Sequence, residues 1–265
     1  MNHTYLFTLS IFVILLIWIP RVWRYKISPY FAKRSLIEKL SNHSNRTNIK
    51  VTEQLLTTLY AGVKSESISR HERKRLNLEE DAFIYGEVDF LSFITILDKA
   101  QPQSGDVFYD LGCGAGKAIF TAALAFDLSK SIGIELLPRL CELANKQIIK
   151  SKSLVKSHYK EAANTFLLKL SCIEIINDDI LNCDISKGNI IFINATCFNY
   201  HAWGKIVGKL QSLSEGCRVI VTTKQIQNDH FQLLNESREL MSWGMNSVRI
   251  YKKTSVIENP VFLKR

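Results

Sequence analysis

The chain has 265 residues, 46% of them apolar, and 34 basic against 25 acidic side chains give a net charge of +9. That length holds one catalytic domain of about 200 residues plus a small appendage, and the apolar share provides a full core. The charge suits anionic surroundings (a lipid surface, a nucleic acid or an acidic protein) or serves solubility alone, while six cysteines without a CxxC pair and no His at metal-ligand spacing exclude a disulfide framework and a structural metal.

Thr4 to Ile19 carries no charge over sixteen residues, and Pro20, Arg21, Arg24 and Lys26 follow. The run is near the lower length for a bilayer span. A cleaved signal peptide would want basic residues before it and a small-x-small site after it, and neither is present. An uncleaved transmembrane helix with its basic flank is therefore expected over 1–25. The positive-inside rule places the chain from residue 21 onward in the cytoplasm. Residues 26–81 read as a helical connector: Tyr30 to Leu40 and Val51 to Val63 show three- and four-residue apolar spacing, and Ser41 to Asn48 between them is a loop by composition. Arg70-His-Glu-Arg-Lys-Arg75 reads as a solvated face or a contact for phosphates.

Tyr85-Gly-Glu-Val-Asp-Phe90 precedes a helix over Leu91 to Leu97. A first strand, Val107 to Leu111, runs into Gly112-Cys-Gly-Ala-Gly116 and a helix from Lys117 to Phe126. Glycines there admit positive φ and let a ligand reach the backbone, and the helix end supplies unpaired N–H groups. A second strand, Ser131 to Glu135, ends on an acid 25 residues after Asp110, placed to accept from a ribose diol. A dinucleotide site would need Gly at 117, which is Lys; the GxGxG spacing behind Asp110 resembles the first motif of S-adenosylmethionine (SAM) methyltransferases. A tight strand–helix turn with no ligand is the alternative.

Pro138 opens a helix whose Leu140, Leu143, Ala144, Ile148 and Ile149 fit one face. Helix continues or resumes over Glu161 to Leu170, and a third strand, Ser171 to Ile176, leads to Asn177-Asp178-Asp179-Ile180-Leu181. This corner lies at the carboxyl end of the sheet, where an acid can accept from an adenine amine while Ile180 packs on its ring; a solvated turn is the alternative. The fourth strand, Asn189 to Ile193, opens into Asn194-Ala-Thr-Cys-Phe-Asn-Tyr200. A helix over Ala202 to Leu213 and a fifth strand over Cys217 to Thr222 follow. Glu239 to Trp243 and Asn246 to Lys252 read as an antiparallel hairpin on the sheet edge. The fold class expected is α/β: a doubly wound, Rossmann-like seven-strand sheet over residues 82–253, with a tail over 254–265.

Taken together, Tyr85-Gly-Glu87, Asp110-Leu-Gly-Cys-Gly-Ala-Gly116, Gly133-Ile-Glu135, Phe192 to Phe198 and Glu215 to Ile220 with Thr223-Lys224 stand in an order and spacing that resembles one family. It is the class I SAM-dependent lysine methyltransferases related to the disruptor of telomeric silencing, which methylate a core histone. The resemblance is closest to the family's microbial branch. It implies that Tyr85, Gly86 and Glu87 close over the methionine end of SAM. Asp110, Gly112, Gly114, Gly116 and Lys117 would line the methionine and ribose side, with Glu135 on the ribose hydroxyls and Asp179 and Ile180 on adenine. Asn194 would border the cofactor and orient the acceptor. Where the histone enzymes carry Asn-Asn-Phe, this chain has Asn194-Ala195-Thr196, so the second Asn, which lines their lysine channel, is Ala195. Tyr200, Phe198, Tyr85 and Phe90 are expected to wall the acceptor, with Tyr200 beside the reacting amine.

The expected activity is transfer of a methyl group to a protein lysine by a membrane-held monomer, with nucleic acid a weaker candidate partner. Lipid or small-molecule methylation and a non-catalytic SAM-binding scaffold are the alternatives.

Overall fold

A computed structural model of the chain describes residues 46–78, 86–241 and 244–255. The apolar run at 4–19, the helix expected at Tyr30 to Leu40, Tyr85 and Trp243 lie outside the described residues. Among those described, no helix is long and apolar enough to cross a membrane.

Seven strands make one sheet: β1 (Val107–Leu111), β2 (Lys130–Glu135), β3 (Ile173–Asn177), β4 (Ile190–Ile193), β5 (Arg218–Thr222), β6 (Phe231–Met241) and β7 (Gly244–Lys253). Their order is β3-β2-β1-β4-β5-β7-β6. The first five run parallel, and β7 pairs antiparallel with both β5 and β6. The inner parallel strands β2, β1, β4 and β5 are buried on both sides, as a sheet covered on both faces requires, while β3 at the edge is only partly buried. Alternate residues divide between two cores. Phe108, Phe192 and Ile220 face one core, shared with α1 (Arg46–Tyr60), α3 (Phe90–Lys99), α4 (Lys117–Ala125), α5 (Pro138–His158) and α6 (Ala163–Ser171). Tyr109, Leu111, Ile191 and Val219 face the other, shared with α7 (Tyr200–Leu210). Helix α2 (Ser65–Arg75) packs beside α5.

Several boundaries differ from the sequence reading, each for a local reason. Residues 46–48, expected as loop, open α1, which stops at Tyr60 rather than Val63. Helix α7 begins at Tyr200 because the Asn199 side chain accepts the Ala202 N–H at 2.9 Å, a helix N-cap, and it ends at Leu210 rather than Leu213. Ser171 closes α6, so β3 starts later, at Ile173. Ile149 does not join the buried face of α5; it is 72% exposed while Leu140 and Ala144 are buried. The hairpin is present but longer than expected, with Gly244 inside β7.

Candidate functional site

The carboxyl ends of β1, β2 and β4 and the loops leaving them enclose a cavity of about 280 Å³. The turn from β1 to α4 forms its wall. Gly112, Gly114 and Gly116 all have positive φ (91°, 55° and 90°), a backbone path that side chains resist. Gly112 and Gly114 line the cavity. Gly116 does not: it is the N-cap residue of α4, behind the loop. Gly133 on β2 supports the turn from the sheet, since a Cβ there would lie 2.5 Å from Cys113 Sγ and 2.8 Å from its Cβ.

Two buried carboxylates flank the loop. Asp110, one residue before the end of β1, and Glu135, the last residue of β2, lie on the same face of the sheet, and both line the cavity. Glu135 Oε2 accepts the Gly114 N–H at 2.8 Å and Oε1 accepts the Leu137 N–H at 2.9 Å. Each oxygen keeps a second lone pair for a donor in the cavity. Burial raises the Glu135 carboxyl above its ordinary pKa, against the pull of those N–H groups. The Asp110 carboxyl makes no hydrogen bond with the described residues. Burial, and then the neighbouring Glu135 charge, hold its pKa well above the usual carboxylate range.

The front of the cavity is tied to the sheet by side chains from three directions. Asn194, just past β4, donates to the Gly86 carbonyl at 2.9 Å and accepts from Thr222 Oγ at 2.7 Å. Lys117 pairs with Glu87 and lies over the Tyr60 ring, 5.2 Å from its centroid. The Tyr60 hydroxyl donates to the Ala115 carbonyl at 2.7 Å, so α1 grips the glycine loop from behind. Gly86, Glu87, Asp110, Gly112, Gly114, Lys117, Glu135, Asp179, Ile180 and Asn194 thus converge on one cavity, as the sequence implies.

Tyr200 does not converge with them. It is 87% exposed at the start of α7, with Lys224 4.5 Å from its ring centroid, because the Asn199 cap turns the first helical residue outward. Its neighbours Asn199 and His201 line the cavity instead. Phe198 also lines it, close over Gly112, whereas Phe90 packs into the helical core. Ala195 is wholly buried in the core beneath α7. Asn194 uses one N–H on Gly86 and one oxygen lone pair on Thr222, so it ties loop to sheet at the cavity wall. Tyr60 and Ser69, both from helices read as connector, were not foreseen as site residues.

This sheet order, with its antiparallel hairpin and its nucleoside-sized cavity behind a glycine turn, defines the class I methyltransferase fold. TrmN from Thermus thermophilus shares it with a TM-score of 0.50 at 17% identity, over 69% of this chain and 53% of that one. The family model described as histone methylation protein DOT1 matches residues 67–257, and the chain belongs to that family. Among its relatives is a histone-lysine N-methyltransferase, H3 lysine-79 specific, of Aspergillus fumigatus. It is 26% identical over 187 residues, which cover 69% of this chain and 35% of that protein. A protein of the same description from Kluyveromyces lactis is 26% identical over 85% of this chain and 41% of its own length. The chain therefore spans well under half of these curated relatives.

Proposed function

We propose that the cavity binds SAM and that the chain transfers its methyl group to a lysine amine of a protein. The observation that carries this reading is Asp110, a buried carboxylate without a donor, facing the cavity beside a Glu135 that keeps lone pairs free. A cationic amino acid joined to a ribose answers both needs. The apolar remainder of the wall, with Ile180, Leu137 and Phe198, suits a purine and a thioether. These two acceptors and the apolar wall fit the cofactor that the family implies.

The bound cofactor supplies an activated methyl group on a sulfonium. The chain's own residues then have three tasks. Asp110 and Glu135 fix the nucleoside and its amino acid, and the Glu87–Lys117 pair holds the front loop over them. Asn194 anchors that loop to β4 and β5 through Gly86 and Thr222, which keeps the end of β4 at a set distance from the cofactor. Phe198 offers an apolar wall where the acceptor enters; desolvation there favours the neutral amine, the form that can attack. Positioning in line and exclusion of water supply most of the rate, and no dedicated base is needed.

The names of the relatives support a protein lysine, and a histone in particular, as acceptor. The apolar run at 4–19 with its basic flank supports attachment to a membrane, with the cavity on the cytoplasmic side. The test is incubation of the full chain with methyl-labelled SAM and a whole-cell extract. Label on protein lysines, with the enzyme itself in the membrane fraction, is the expected result. Label that partitions into organic solvent or into RNA would overturn the acceptor class.

A further inference from the structure

Six of the eleven residues of α2 are charged, the composition of a solvated helix. The helix nonetheless buries Ser65, Ser69 and Glu72, at the i, i+4, i+7 spacing of one face. Ser69 lines the cavity and is 2% exposed. Its hydroxyl makes no hydrogen bond with the described residues, although a serine inside a helix commonly bonds back to the carbonyl one turn before. Less than one turn further on, Glu72 is fully buried. It accepts from Arg75 at 3.0 and 2.7 Å and forms an ion pair with Arg139, whose Nε lies 3.2 Å away. The Arg75 hydrogen bond holds the Glu72 carboxyl below its ordinary pKa, so it stays ionised. Arg139 is the second residue of α5, four residues after Glu135. The ion pair therefore fixes α2 against the same β2–α5 turn that presents Glu135, and brings an unpaired hydroxyl to that edge of the cavity.

We propose that Ser69 is a cofactor-binding residue, its hydroxyl joining Glu135 in gripping the ribose diol, and that α2 is the side wall of the nucleoside site. This rests on the SAM reading above. The probe is S-adenosylhomocysteine, titrated calorimetrically into the full chain and its Ser69→Ala variant. The expected loss of affinity is about fivefold, the size of one hydrogen bond to a neutral group. That loss should vanish with one of the 2′-deoxy and 3′-deoxy forms of the ligand. Equal affinity of variant and wild type, with the wild type binding, would overturn the role of Ser69 and leave the SAM reading standing. Absence of binding to the wild type would overturn both. A second measurement needs no variant: amide hydrogen exchange of residues 65–75 in the wild type should slow on binding, and exchange unchanged at saturation would overturn the wall.

Discussion

At the scale of single residues, Asp110 carries the largest load. Its carboxyl is buried, without a hydrogen bond among the described residues, and close to a second acid, so ionisation is unfavourable without a bound cation. The folded pKa lies above the unfolded one. The folded chain then holds its proton more tightly, and stability falls as pH rises through the window between the two values. Replacing the carboxylate with an amide removes that cost. Asp110→Asn is predicted to melt several degrees higher than the wild type at pH 8 and to bind SAM at least tenfold more weakly. A lower melting temperature together with unchanged affinity would contradict both halves. The same titration predicts that wild-type affinity for SAM rises with pH above the ordinary carboxylate range, as Asp110 loses its proton to receive a cation.

Asp110 and Glu135 were legible in the sequence because both stand at the carboxyl ends of apolar strands, Asp110 one residue before its strand closes on a glycine turn and Glu135 as the last of its strand, and acids there have few uses. Tyr60 and Ser69 were not. They reach the site only through the packing of α1 and α2, and nothing in their local sequence departs from ordinary helix. Tyr200 was misplaced for a related reason: the stretch after β4 could be read for composition but not for which side of a capped helix each residue takes.

At the scale of elements, α1 is part of the site although it reads as connector. Leu55 and Leu59 are buried in the core shared by α3 and α4, and Tyr60 sits edge-to-face on Phe120 at 6.2 Å. From there its hydroxyl holds the Ala115 carbonyl. Tyr60→Phe keeps the ring and removes the tie between α1 and the glycine loop. A loss of about 1 kcal/mol is expected from thermal melting, with a few-fold weaker SAM binding measured in parallel. Affinity that stays level would show that the loop holds its shape without α1.

The inner parallel strands were legible because their apolar runs are buried on both faces. Residues 231–238 of β6 were not, and the cause is visible in their side chains. Only Phe231 among them is buried, while Leu233 and Leu234 are exposed, so this half of the edge strand leaves no period-two signal in hydropathy.

At the scale of the whole molecule, the chain is a class I methyltransferase domain of the DOT1 family with two helices closed onto its cavity. It spans only a part of its curated relatives. Ala195, where the resemblance to the family leads one to expect an asparagine, is buried, and the neighbouring Thr196 hydroxyl turns to Thr223 at 2.6 Å.

The measurement that bears most directly on all of this is calorimetric titration of SAM into the full chain beside its Asp110→Ala, Glu135→Ala double variant. Saturable one-to-one binding to the wild type, lost in the double variant while its fold persists by circular dichroism, is the predicted result. Absence of binding to the wild type, or equal binding to both proteins, would contradict it.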